Sequence, residues 1–174
     1  GCSRGGYVGC EFLIDRISEF VTILMMKSKS ESQSTTLRYK KEIETKYERP
    51  LKFLKGDSSA ENKGAQTRTA CELTGTVQLW SNPYDKEQAG FHERHIGLWK
   101  TVVRSNGKRS SIPPSLYPLN WCYAAVVRNL TPRMRNSHFI TPYELHHSPL
   151  VSTSMLKRTR AFGCETFSLI PPEL

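Results

Sequence analysis

Apolar residues between positions 7 and 26 gather into two runs rich in Val, Ile, Phe, Leu and Thr, broken at 15–18 by Asp-Arg-Ile-Ser. That pattern predicts two strands joined by a tight turn. A polar stretch (KSKSESQS) follows, and then Leu37, Tyr39, Ile43 and Tyr47 recur near helical spacing among Lys–Glu pairs such as Lys40 with Glu44. This predicts an amphipathic helix over 35–47, stopped by Pro50. The run LKFL at 51–54 reads as a short buried strand that delivers a loop at Gly56-Asp57. Residues 58–70 are small and polar, either a loop or a weak helix; 75–80 (GTVQLW) reads as another strand and 81–90 as a turn-rich loop. From 92 to 104, Ile96, Trp99 and Val103 fall on one side and Glu93, Gly97, Lys100 and Arg104 on another, a two-faced helix. Pro113 and Pro114 open a linker, and 119–130 reads as a longer, largely buried helix. Strand, helix, strand in this order argues for an α/β sandwich.

Composition narrows the class. In 174 residues, 37% are apolar in the strict sense, enough for one folded core. The 25 Lys and Arg outnumber the 16 Asp and Glu, and the resulting +9 favours a polyanionic partner such as nucleic acid. The charge is uneven: no Asp or Glu lies between Arg94 and Pro142, whereas Arg94, Lys100, Arg104, Lys108, Arg109, Arg128, Arg133 and Arg135 all do. The longest apolar stretch, at 20–26, is far shorter than the roughly twenty residues a bilayer demands, so no membrane anchor is expected. The cysteines, Cys2, Cys10, Cys71, Cys122 and Cys164, have irregular spacing and no Cys or His partner at zinc-finger distance. Reduced thiols and an intracellular setting are expected, with no zinc site. His92 and His95, and the adjacent His146 and His147, read as surface histidines. The start GCSRGG and the end FSLIPPEL both read as cuts within a longer chain.

Two carboxylates carry the candidate chemistry. Asp57 follows a predicted strand and Glu93 sits on the polar side of a predicted helix. Carboxylates placed so can converge on Mg²⁺, which demands hard oxygen ligands. Two such ions about 4 Å apart promote in-line displacement at phosphorus, usually on three carboxylates. Taken alone, an Asp in a turn and a Glu on a helix are far more often a cap and a surface charge, so the surroundings decide.

Those surroundings resemble the integrase core of copia-type LTR retrotransposon polyproteins. GGYVGCEFLIDRISEFVTILMMKSKSE is similar to the family's hairpin, with its Ile-Asp-Asp, Ser-Arg-Phe and Lys-Ser-x-x-Glu stretches. LRYKKEIETKYERPLKFLKGDSSAEN resembles its first helix and the strand leading to the second catalytic aspartate, here Asp57. NPYDKEQAGFHER resembles the stretch that bears the catalytic glutamate, here Glu93. NWCYAAVVRNLTPRMRNSHFITPYEL is similar to the Trp-x-x-Ala helix, Asn-Arg-x-Pro turn and Thr-Pro-Tyr-Glu-Leu segment, and LKRTRAFGCETFSLIPPEL to the Phe-Gly-Cys strand that opens an SH3-like barrel.

The resemblance implies an RNase H-like three-layer core over 1–148, a mixed sheet flanked by helices, followed at 149–174 by a linker and the start of the SH3-like barrel. It implies DNA as partner, a homo-oligomer, nuclear action, and DNA integration by phosphodiester cleavage and strand transfer with two Mg²⁺ or Mn²⁺ ions. Asp57 and Glu93 become catalytic metal ligands. Lys100, seven residues beyond Glu93 on the same helical face, would meet a phosphate of the DNA end. Arg94 would brace the fold or the DNA backbone, and Arg104 extends the same basic side.

The departures bear on activity. The family's first catalytic aspartate precedes a segment that here begins at Ser3, so its strand and that ligand are expected to lie upstream of Gly1. Asp15 matches a turn residue of the hairpin and does not replace it. DSSAEN stands where the family has Asp-Asn-Gly-x-x-Glu, and Gln88-Ala89-Gly90 where it has Gln-Asn-Gly. Catalysis is therefore expected to be impaired. The alternatives are a non-catalytic DNA-binding remnant of the same element and a decayed relic without a role.

Overall fold

Two runs of strand-forming residues separated by a turn set the first element of the computed structural model, an antiparallel hairpin of β1 (Gly9–Ile14) and β2 (Val21–Met26) in register from Gly9 opposite Met26 to Ile14 opposite Val21. The structure describes residues 5–56, 64–81, 86–147 and 159–164, with 86–89 as helical backbone only. The turn of the hairpin is made by Asp15, whose carboxylate accepts the Ser18 N–H at 2.8 Å and the Ser18 hydroxyl at 2.5 Å. This is the local side-chain bonding that suits Asp to turns.

Period two divides the hairpin into two faces. Phe12, Ile14, Val21 and Ile23 point one way, into a core shared with Trp99, Val103, Ala124 and Ala125. The Phe12 and Trp99 rings meet in a T-shaped arrangement at a centroid distance of 5.3 Å. Glu11 and Thr22 point the other way, to α1 (Ser32–Tyr47): Ser32 donates to Glu11 at 2.9 Å and the Thr22 and Tyr39 hydroxyls lie 3.0 Å apart. The hairpin is thus the middle of three layers. The outer layer beyond the core consists of α3 (Lys86–Ser110) and α4 (Tyr117–Leu130).

Between α1 and α3 lies a parallel unit, β3 (Phe53–Gly56), α2 (Ala65–Thr74) and β4 (Val77–Trp80), with Phe53 opposite Val77 and Gly56 opposite Trp80. Helix α2 ends on Gly75 in the left-handed region, φ 69°, whose N–H returns to the Cys71 and Glu72 carbonyls. After α4 come a short hairpin, β5 (Arg133–Arg135) with β6 (His138–Ile140), and α5 (Pro142–His147). Thr141 and Glu144 form a reciprocal capping box at the start of α5: the Glu144 carboxylate accepts the Thr141 N–H at 2.8 Å, and the Thr141 hydroxyl accepts the Glu144 N–H at 3.0 Å. The Thr-Pro-Tyr-Glu stretch is therefore a helix start, with Pro142 where a missing N–H costs nothing.

Several boundaries differ from the sequence reading. Helix α1 begins at Ser32, three residues before the expected start, while its end at Tyr47 is where the sequence puts it, with Glu48 left-handed at φ 52° ahead of Pro50. Helix α3 begins at Lys86, inside the stretch read as loop, since Lys, Glu, Gln and Ala at 86–89 are good helix formers and only Gly90 opposes them. The strand read as buried lies two residues later, and Phe53 is exposed. Helix α4 is one-sided: Asn120, Ala124, Ala125 and Asn129 are buried, whereas Leu119 and Val126 are exposed. Among the described residues the three strand pairs are separate two-stranded sheets.

Of the segment read as opening a barrel, 165–174 lies outside the described residues. Residues 161–164 form a turn in which Phe162 packs on Tyr123 at 5.2 Å. Gly163 is required there twice over, by φ 76° and by Ser110, whose Cβ would stand 2.6 Å from an added Cβ.

Candidate nucleic-acid interface

Helix α3 sorts its residues as its period requires. Trp99 and Val103 are buried in the core, and Glu93, Gly97, Lys100 and Arg104 are exposed on a common face. At 1.5 Å per residue Lys100 stands about 10 Å, and Arg104 about 16 Å, along the axis from Glu93. Arg94, Lys108 and Arg109 are also exposed. Among the described residues none of these cations has a carboxylate partner within ion-pair distance. A Cβ added at Gly97 would meet nothing within 4 Å, so the stripe has an open notch one turn beyond Glu93.

Asp57 lies outside the described residues, so the pairing of Asp57 with Glu93 rests on sequence. No group of three or more His, Cys, Asp or Glu able to hold a metal occurs among the described residues. One exposed carboxylate at Glu93 supplies too few hard oxygen donors for Mg²⁺. The described residues therefore do not by themselves fit a divalent ion.

The remaining basic residues of this half are otherwise engaged. The Arg128 guanidinium lies over Trp99, 5.1 Å from the ring centroid. Arg133 and Arg135 reach back to Glu19, which sits left-handed at φ 57° in the first hairpin turn. Arg135 pairs with it at 3.3 Å, and Arg133 also donates to it. This cluster was not legible in sequence; its one signal is Arg133 and Arg135 at strand spacing, on the same side of β5.

The surface reading of the histidines is corrected. His95 is buried beside the core, with Nδ1 3.1 Å from the Phe91 carbonyl and Nε2 3.7 Å from Glu19. Burial and the Arg128 charge push its pKa below the usual histidine range, with Glu19 opposing. His146 stacks on Phe20 with ring centroids 4.4 Å apart, and His147 Nδ1 lies 2.6 Å from the Tyr47 hydroxyl. Flat rings with polar edges fill this corner, where α5 meets the first turn and α1.

Asp15 belongs to the turn, as its sequence context implies. The His146 ring holds its carboxyl well below the usual range; burial opposes this, and the Ser18 hydroxyl and N–H assist. No described helix is long and apolar enough to cross a membrane.

No protein-family model matches this sequence, and no curated protein matches it. Solved structures do. A chain of the simian T-cell lymphotropic virus intasome in complex with PP2A regulatory subunit B56 gamma superposes with a TM-score of 0.63 at 21% identity. The match covers 81% of this chain and 49% of that one, so this chain spans about half its length. The HTLV-2 integrase catalytic core domain in complex with magnesium gives 0.59 at 18% identity, covering 79% and 84%. The catalytic core domain of BIV integrase gives 0.56 at 15%, covering 85% and 88%. At such identities the likeness is one of fold: an RNase H-like α/β core of the integrase type.

Proposed function

We propose that this chain, with the fold of an integrase catalytic core, is the core of a copia-type retroelement integrase. In this reading its described residues bind DNA, while phosphodiester cleavage and strand transfer are impaired. The observation that carries it is the α3 stripe, in which Lys100 and Arg104 follow Glu93 along one exposed face without carboxylate partners among the described residues. Phosphate neutralisation needs cations free to meet oxygens, and sequence-independent affinity follows from their number. Gly97 fits the same reading, since an interior helical glycine costs about 1 kcal/mol and no packing explains this one. A missing side chain there would let a sugar-phosphate backbone approach the helix.

The assignment of Asp57 and Glu93 as ligands for Mg²⁺ or Mn²⁺ is part of the proposal. If bound, such ions would supply charge stabilisation at the phosphorus. Among the described residues β1–β2 and β3–β4 are separate pairs, which supports the reading that the strand on which the resemblance places a third carboxylate is not one of them. A homo-oligomer acting in the nucleus completes the reading. The non-catalytic alternative predicts DNA binding that survives Glu93→Gln and metal removal.

The test is strand transfer from a model element end in Mg²⁺ or Mn²⁺, with this chain and with a version preceded by an Asp-bearing strand. The expected result is activity in the extended version only, abolished by Glu93→Gln. Activity that persists in Glu93→Gln would refute the site assignment, and duplex binding that ignores salt would refute the DNA-binding reading.

A further inference from the structure

The β5–β6 hairpin has two unlike faces. Register pairs Arg133 with Ile140, Met134 with Phe139, and Arg135 with His138, and Asn136 and Ser137 close the turn at φ 47° and 65°. Alternation therefore puts Arg133 and Arg135 on one face, where they hold Glu19 and where Arg135 also donates to the Ile17 carbonyl at 2.6 Å. The hairpin is thereby tied to the first turn. Met134 and Phe139 occupy the other face as a direct cross-strand pair, 64% and 72% exposed. A large apolar residue opposite an aromatic one, turned to solvent on a braced hairpin, has no role in the core.

We infer that the Met134–Phe139 face is a stacking platform for unpaired nucleotides, a second nucleic-acid contact apart from the α3 stripe. Size argues first. A stable protein interface needs about 800 Å² from each partner, more than two side chains on three-residue strands supply, whereas one or two bases match a single aromatic ring and its neighbour.

Charge argues second. The chain has no Asp or Glu from 95 to 143, and the carboxylate beside this hairpin, Glu19, is outnumbered by Arg133 and Arg135. On the first turn exposed Arg16 offsets the Asp15 carboxylate, so the two arginines of the hairpin still outweigh Glu19. This surrounding attracts a polyanion and repels a second copy of a chain carrying +9. A duplex hides its base faces, so the platform selects single-stranded or frayed segments. The choice of nucleic acid over an acidic peptide rests on the integrase-core reading above.

The experiment compares binding of a labelled oligothymidylate and a duplex of equal length by fluorescence anisotropy, for the full chain and for Phe139→Ala, Phe139→Trp and the double variant Lys100→Ala/Arg104→Ala. Phe139 is exposed, so thermal melting should confirm that its variants stay folded. Phe139→Ala should weaken single-strand binding about tenfold, leave duplex affinity within about twofold, and be rescued by Phe139→Trp. The double variant should do the reverse and act chiefly on duplex.

Single-strand binding indifferent to Phe139, or an equal loss on both substrates, overturns the platform. So does sedimentation showing that Phe139→Ala acts by dissolving a dimer. If the duplex binds through α3 while Phe139 has no effect, this inference alone fails. If single-strand binding needs Phe139 but duplex binding is absent, the α3 reading fails alone. If neither substrate binds, both fail.

Discussion

Asn129 on α4 makes both hydrogen bonds that Val21 offers at the outer edge of β2: its carboxamide oxygen accepts the Val21 N–H at 2.9 Å and its amide donates to the Val21 carbonyl at 2.7 Å. A single side chain thus stands in for a neighbouring strand. Both residues are buried, so no water can replace it. Asn129→Ala should cost about 3 kcal/mol, because two backbone groups are left unpaired in the core. Urea unfolding measures this, and a loss under about 0.5 kcal/mol would contradict the bridge.

Lys40 is buried, with its ammonium 2.6 Å from both the Glu44 carboxylate and the Thr74 hydroxyl, so α1 and α2 are clasped together. Glu44 also accepts the Leu51 N–H at 2.8 Å. Burial alone would raise the Glu44 pKa, yet Lys40 and Leu51 hold it below the usual value. Lys40→Met should destabilise by about 3 kcal/mol by leaving that carboxylate without its partner. Adding Glu44→Gln should recover part of the loss, and a double-mutant cycle with coupling near zero would rule the clasp out.

Stability should fall on mild acidification. Burial, Lys46 and His146 lower the His147 pKa to about 4, and His95 is lowered as well. Below pH 6.5 the unfolded chain binds protons that the folded chain refuses, so the contribution of these rings is complete above about pH 7 and is lost as pH falls from 6.5 towards 4. The depressed Asp15 adds a separate loss below about pH 4. Denaturant midpoints taken across pH 7.5 to 4.5 should drop in the chain and drop less in His147→Phe. Parallel curves would show that His147 does not titrate in this way.

Duplex affinity should fall linearly with salt on logarithmic axes. Removing Lys100 or Arg104 should each reduce the slope by about 0.9, the share of one neutralised phosphate. Glu93→Gln should leave the slope unchanged and raise affinity slightly, since it deletes a negative charge from the stripe. Unaltered slopes in both alanine variants would move the DNA elsewhere.

Gly97→Ala separates stability from binding. The added methyl group meets open space, so the helix should gain about 1 kcal/mol. If a sugar-phosphate backbone rests in that notch, duplex affinity should fall despite the gain. A variant both stabler and equally tight would show the notch to be idle.

Local pattern made several elements legible. Two runs of strand formers broken at 15–18 marked the first hairpin, and helical period separated Trp99 and Val103 from Glu93, Lys100 and Arg104, because these assignments depend on neighbours within a few residues. The capping box of Thr141 and Glu144 is just as local, yet the sequence reading took that stretch only as a family segment and read no helix there. Asp57 and the barrel assignment beyond residue 164 lie outside the described residues and remain sequence readings. Three features stayed out of reach: burial of Lys40, burial of His95, and the grip of Asn129 on Val21. Each looked like an ordinary polar residue on a helix.

The sequence by itself determined which runs favour strands, which residues recur at helical spacing and where the cations concentrate, since each is a property of near neighbours. Only the tertiary structure decided which polar residues are buried and which cations stay unpaired. Arg133 and Arg135 are spent on a glutamate more than a hundred positions away, whereas Lys100 and Arg104 meet no described carboxylate. Whether a charge is neutralised depends on what the folded chain brings within a few ångströms of it, and linear order does not contain that distance.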